Sequence, residues 1–187
     1  MIGAYIAGGI AILVLLWIVT AFNRLVRLRN EAAQGASSID VQLKRRADLI
    51  PNLVEAVKGY AAHESATFEN IATARAATMA ARTLPEKANA DVVMTAALTG
   101  LLGIAEAYPQ LRAAESFTAL QGQLADTEDK IAAARRYYNT VVRQLNTAIQ
   151  TLPTNLVARA TGFSERPFYR LGDDADREPV AASLDPA

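Results

Sequence analysis

Residues Ile39–Glu64 read IDVQLKRRADLIPNLVEAVKGYAAHE. Ile39, Leu43, Ile50, Leu53 and Val57 recur at steps of three, four or seven, which places them on one face of an α-helix. Arg46 falls on the same stripe, where a charge without a partner is costly to bury. Pro51 removes one backbone donor and crowds the carbonyl of Ala47, so a kink is expected there. Gly59-Tyr60 resembles a helix end, with a left-handed glycine at C′ and an apolar C″ residue. His63 and Glu64 follow at the start of the next element. The stretch therefore reads as the inner wall of a helical bundle.

Upstream the stripe extends through Leu25, Leu28, Ala32 and Ala36. Before it, Ile2–Phe22 carries no charged side chain over 21 residues, close to the ~20 that a membrane-spanning helix needs. Val19-Thr20-Ala21 loosely fits a signal-peptide cleavage site, but no basic region precedes the apolar run and the run is long for a signal core. A transmembrane anchor over 1–22 is the reading adopted. Arg24, Arg27 and Arg29 follow it at once. The positive-inside rule then puts the N-terminus outside and the rest of the chain in the cytoplasm, and the three arginines suit an anionic lipid surface. Small residues four apart, Gly3 with Ala7 and Ala4 with Gly8, permit close helix–helix packing in the membrane.

Downstream, a second helix is expected from His63–Ser65 to Arg82, and TLPEKAN at 83–89 reads as a loop. Asp91 is placed as the cap of a third helix, Val92–Ala107, whose first 14 residues are uncharged. Tyr108-Pro109 ends it. A last long helix, Leu111–Gln150, has the stripe Phe117, Leu120, Leu124, Ile131, Tyr138, Val142, Leu145 and Ile149, with Glu128 and Arg135 in its gaps. Pro153 opens a short helix that Gly162-Phe163 closes. Arg166–Leu171 (RPFYRL) is aromatic enough to dock back, and 172–187 reads as an acidic, disordered tail.

Composition agrees. Half of the residues are apolar and only 6% aromatic, which favours helices over sheets. Net charge is zero, and no basic stripe is interleaved with stacking aromatics, so nucleic acid is not an expected partner. The absence of cysteine excludes disulfides, thiolate metal sites and a cysteine nucleophile.

The charges on the stripes invite a site. If the first and last long helices run antiparallel, Arg46 lies near Glu128 and Asp40 near Arg135, as pairs that set register in the seam. The catalytic alternative joins Arg and Glu to Tyr137 or Tyr138 and Asn139. His63 and Glu64 are the other candidates, as a hydrolase centre or, with Glu69, as metal ligands; HExxH spacing is absent. Lys44 and Arg45, together with His63 and Glu64, form the candidate partner surface. No catalytic residue, metal or cofactor is assigned.

Several segments together, IDVQLKRRADLIPNLVEAVKGYAAHE, AYPQL at 107–111, LQGQLADTEDKIAAARRYYN at 120–139, Pro153 and Gly162-Phe163, closely resemble the bacterial LemA family. The resemblance covers about residues 23–171. It implies an all-α protein, an up-and-down four-helix bundle with long first and last helices on a single-pass anchor, and it implies no reaction. The resulting expectation is a non-enzymatic, membrane-anchored scaffold at the cytoplasmic face of the inner membrane. Its partners would be membrane lipid and a protein. A self-assembling membrane protein and a hydrolase at His63/Glu64 are the alternatives.

Overall fold

The computed structural model describes residues 1–172. They are all-α: α1 Ile2–Lys58, α2 Ser65–Ala80, α3 Leu84–Glu106, α4 Pro109–Arg112, α5 Glu115–Gln150 and α6 Thr154–Ala160. The tail expected over 172–187 lies, beyond Gly172, outside the described residues. The described residues form two compact units, one of Met1–Arg45 with Ala125–Phe168, the other of Arg46–Leu124 with Tyr169–Gly172.

In the first unit Leu25, Leu28, Ala32, Ile39 and Leu43 of α1 are buried, as are Ile131, Tyr138, Val142 and Leu145 of α5. Gly35 lies against Tyr138, and a Cβ added there would sit 3.2 Å from the Tyr138 Cα. A hydrogen atom in place of a side chain lets the two helices approach at this point. After α6 the chain reverses at Gly162 (φ +75°). There the Phe163 amide donates to the Ala158 carbonyl at 2.9 Å, the six-to-one bond of a Schellman ending. Phe163 then meets Phe22 edge to face, with centroids 6.0 Å apart. Gly35 lies against Tyr138, whereas the later Arg45 acts on the charge of the earlier Asp126, so α5 runs antiparallel to α1. The segment beyond is tied along α5. The Asn146 side chain both donates to and accepts from the Arg166 backbone at 2.9 Å, and the Tyr138 hydroxyl donates to the Pro167 carbonyl at 2.8 Å.

In the second unit the core gathers Ile50, Leu53 and Val57 of α1, Phe68 and Ile71 of α2, Met94, Leu98 and Leu101 of α3, Leu111 of α4, and Phe117 and Leu124 of α5. α1 continues through Pro51. The amide that Pro51 lacks would have bonded the Ala47 carbonyl. That carbonyl instead accepts from Arg75 Nε on α2 at 2.9 Å. A charged donor from a neighbouring helix thus satisfies the acceptor that proline orphans.

Three expectations are corrected here. TLPEKAN is not a loop: the Thr83 hydroxyl accepts from the Glu86 amide, the Glu86 carboxylate takes the amides of Thr83 and Arg82, and Pro85 fits the first turn. This capping box starts α3 at Leu84. Asp91 is therefore not a cap but sits two turns into the helix. Gly59 is not left-handed, since the described glycines with positive φ are Gly162 and Gly172. The amides of Tyr60 and Ala61 both bond the Val57 carbonyl instead, closing α1 by right-handed turns.

Two outcomes follow. Arg75→Ala should destabilise the full chain by about 1.5–3 kcal/mol, the range for a hydrogen bond to a charged group. In the Pro51→Ala background, where the helix supplies its own donor, the loss should be smaller. Denaturant unfolding of the four variants in detergent reads this coupling, and strict additivity would contradict it. Glu86 is held below its ordinary value of 4.5, first by the Arg82 amide and then by the Thr83 amide. A lowered carboxylate pKa stabilises the fold above the unfolded value and loses that contribution as pH falls through the folded one. An NMR titration should show the Arg82 and Thr83 amides moving together with a midpoint below 4.5.

Candidate functional site

The most concentrated polar chemistry in the second unit surrounds Arg46. Its position on the α1 stripe is forced by the flanking Leu43, Ile50 and Leu53, which turn the same face inward. The side chain is 0% exposed. Its Nη2 donates to Asp91 Oδ1 at 2.7 Å, and Nη1 reaches the Thr95 hydroxyl at 3.4 Å. Asp91 is 2% exposed. Its other oxygen accepts from the Tyr169 hydroxyl at 2.9 Å, and that hydroxyl also lies 3.3 Å from the Lys87 carbonyl. Tyr169 is itself buried. An arginine from α1, a carboxylate from α3 and a phenol from the C-terminal segment thus close on one another.

The arrangement is chemically quiet. The guanidinium is a permanent cation with no acceptor. The carboxylate is engaged at both oxygens, and neither Arg46 nor Asp91 opens to solvent. Taking an ion pair out of water costs several kcal/mol per ion, which good geometry repays and a missing partner does not. The cluster therefore acts on register and stability.

Sequence reasoning singled out Arg46 but not Asp91, Tyr169 or Thr95. The signal for Asp91 was present. Ala88, Asp91, Met94, Leu98, Leu101 and Ala105 follow helical spacing, and Asp91 is the charge on that face. It matches the charge on the α1 stripe. Reading TLPEKAN as a loop hid this by moving the helix start past Asp91.

The other expected positions differ in exposure. Asp40 on α1 and Glu128 and Arg135 on α5 are half-buried. Lys44 and Arg45 are exposed, and Arg45 adds to the field that, after the Lys130 hydrogen bond, lowers the pKa of Asp126. His63 and Glu64 are exposed in the turn between α1 and α2. Among the described residues no group of three or more His, Asp or Glu side chains gathers as a metal site. Tyr137 is exposed. Tyr138 is buried, and desolvation raises its phenol pKa above the ordinary value. Arg24 and Arg27 are exposed, and the Arg29 guanidinium stacks over the Phe163 ring at 5.1 Å. The N-terminal part of α1 is long and apolar enough to cross a membrane, and its most apolar window is fully exposed.

Comparison with known proteins gives a consistent picture. The LemA family model matches residues 35–183. Magnetosome protein MamQ of Magnetospirillum gryphiswaldense is 25% identical over 174 residues, covering 79% of this chain and 64% of that protein. Magnetosome protein MamQ 2 of Paramagnetospirillum magneticum is 22% identical over 189 residues, covering 87% and 70%. Protein LemA of Metamycoplasma hominis is 28% identical over 147 residues, covering 73% and 63%. The chain thus spans a little under two thirds of the length of the first and the last of these relatives.

Asp91→Ala leaves Arg46 buried without its carboxylate and should cost about 3–5 kcal/mol. Tyr169→Phe, which removes one hydrogen bond to a charged group, should cost about 1.5–3 kcal/mol. The paired apolar replacement Arg46→Met with Asp91→Leu should be milder than Asp91→Ala alone. Urea unfolding of the full chain in detergent measures all three, and a double variant worse than Asp91→Ala would contradict the register role.

Proposed function

Since the chain belongs to the LemA family, we propose that it is a membrane-anchored, non-enzymatic scaffold whose helical units organise the bilayer surface or hold a protein partner there. The observation that carries this reading is the continuity of α1. The charge-free run Ile2–Phe22 and the buried stripe from Leu25 to Val57 belong to one helix, Ile2–Lys58. Within the first unit α1 runs unbroken from the apolar segment into the packed wall, so anchoring would fix that unit's wall as well. Trp17 and Phe22 near the end of the run suit a membrane–water interface, and Arg24 and Arg27 just beyond it suit anionic headgroups.

The non-enzymatic part of the reading draws support from the Arg46–Asp91–Tyr169 cluster. The most deeply buried charges are spent on one another rather than aimed into a cleft. The candidate partner residues Lys44, Arg45, His63 and Glu64 are exposed. The expected orientation places the helical units at the cytoplasmic face of the inner membrane, from the positive-inside rule applied to Arg24, Arg27 and Arg29.

The test combines topology with capture. The protein should stay in the membrane pellet through alkaline carbonate extraction, and a C-terminal reporter should register as cytoplasmic. Neutralising Arg24, Arg27 and Arg29 together should reduce that bias. Capture from solubilised membranes should recover a protein partner, and Lys44→Glu with Arg45→Glu should weaken its recovery. Release by carbonate would overturn the anchor, and a capture indifferent to Lys44 and Arg45 would remove them from the partner surface.

A further inference from the structure

From the first unit we infer that the α5–α6 corner is a second membrane contact, in which Leu152 and Leu156 enter the headgroup–acyl boundary of the leaflet from which α1 emerges. The inference rests on the anchored reading of α1 and adds a site to it.

Gly35 of α1 lies against Tyr138 of α5, and α5 returns antiparallel to α1. Both helices advance about 1.5 Å per residue. Twelve residues on from Tyr138 is Gln150, the end of α5, and twelve back from Gly35 is Asn23. Each is about 18 Å from the shared contact, so the end of α5 lies level with the end of the charge-free run. The Phe163–Phe22 ring contact fixes the same level independently.

Leu152 is 74% exposed and Leu156 59%. Two large apolar side chains four residues apart, turned outward at the height of a bilayer surface, suit interfacial insertion. Single exposed leucines are ordinary on a soluble face. Here the bilayer is the medium already present at that height.

No Asp or Glu occurs before Glu31, and none occurs from residue 130 to residue 164. The two segments that meet at this end are thus free of carboxylates, while Arg24, Arg27 and Arg159 are exposed on them. A soluble partner surface of mixed sign would not require this. An anionic lipid surface repels carboxylates and gains about 1 kcal/mol for each nearby cation. The occupant that fits is therefore an anionic bilayer.

The experiment uses the full chain in vesicles of phosphatidylcholine with phosphatidylglycerol. The chain contains no cysteine, so Leu152→Cys, Leu156→Cys, Val14→Cys and Tyr137→Cys each carry one environment-sensitive fluorophore. Lipids with a shallow nitroxide act as quencher. Labels at 152 and 156 should be blue-shifted and quenched, the label at 14 should be blue-shifted and partly quenched, and the label at 137 should be neither. A shielded label at 14 with labels at 152 and 156 behaving like the one at 137 overturns the second contact and leaves the anchor intact. An unshielded label at 14 overturns the anchor, and the inference with it. In vesicles of phosphatidylcholine alone, shielding at 152 and 156 should fall; undiminished shielding would overturn the electrostatic part.

Discussion

The second unit depends on a cation that has nowhere else to go. Arg46 stands on the apolar face of α1 because helical periodicity puts it there between Leu43 and Ile50, and it is fully buried. Its desolvation must be repaid inside the protein. Asp91 repays it from α3 at 2.7 Å, and Tyr169 occupies the carboxylate's second oxygen at 2.9 Å. A slip of α3 by one turn would move the carboxylate by about 5.4 Å and leave both ions buried and apart. Apolar contacts among Leu, Ile and Ala tolerate such slips far better, because one aliphatic residue can replace another with little loss. The ion pair therefore selects one register from several that the apolar stripes would accept. The phenol extends that selection to the chain that follows α6.

The same logic applies to the backbone. Pro51 deprives Ala47 of its helical donor, and a bare carbonyl at a packed interface would be expensive. Arg75 fills it from α2. The proline is thus tied to a particular neighbour, as Arg46 is tied to Asp91. In the first unit the comparable restriction is steric. Gly35 leaves only 3.2 Å between a hypothetical Cβ and the Tyr138 backbone, which sets how closely α1 and α5 approach. Directional hydrogen bonds and one close contact thus supply the specificity that a repetitive Leu/Ala pattern lacks.

Much of this was legible residue by residue. The stripes of α1 and α5 were readable because apolar spacing at three and four residues persists over many turns, and the residues named from it are buried with few exceptions. The Gly162-Phe163 stop was readable because a left-handed glycine followed by an apolar residue has a specific hydrogen-bond geometry. The start of α3 was misread because Thr, Pro and Glu are loop residues in isolation and a capping box in sequence. That one error displaced Asp91 from a buried face to a helix end and concealed a partner of Arg46. Tyr169 was beyond reach for another reason. Its contact joins residues 78 positions apart, and no local periodicity encodes so distant a phenol.

A continuous α1 changes what anchoring means. A flexible linker between span and domain would leave the domain free to tilt and turn, and no side chain outside the span would have a fixed depth. In the first unit, where α1 continues from Ile2 without interruption, an anchored span would set the height of the residues packed on the turns after Phe22. Phe163 is bound to Phe22 by ring contact, and α6 is bound to Phe163 through the Ala158 carbonyl. The α5–α6 corner therefore inherits its depth from the span. On the proposed reading, a scaffold fixed at two points of one leaflet would resist tilting in a way that a single span cannot. That is the mechanical property a protein needs to present a face such as Lys44 and Arg45 at a constant distance from the bilayer.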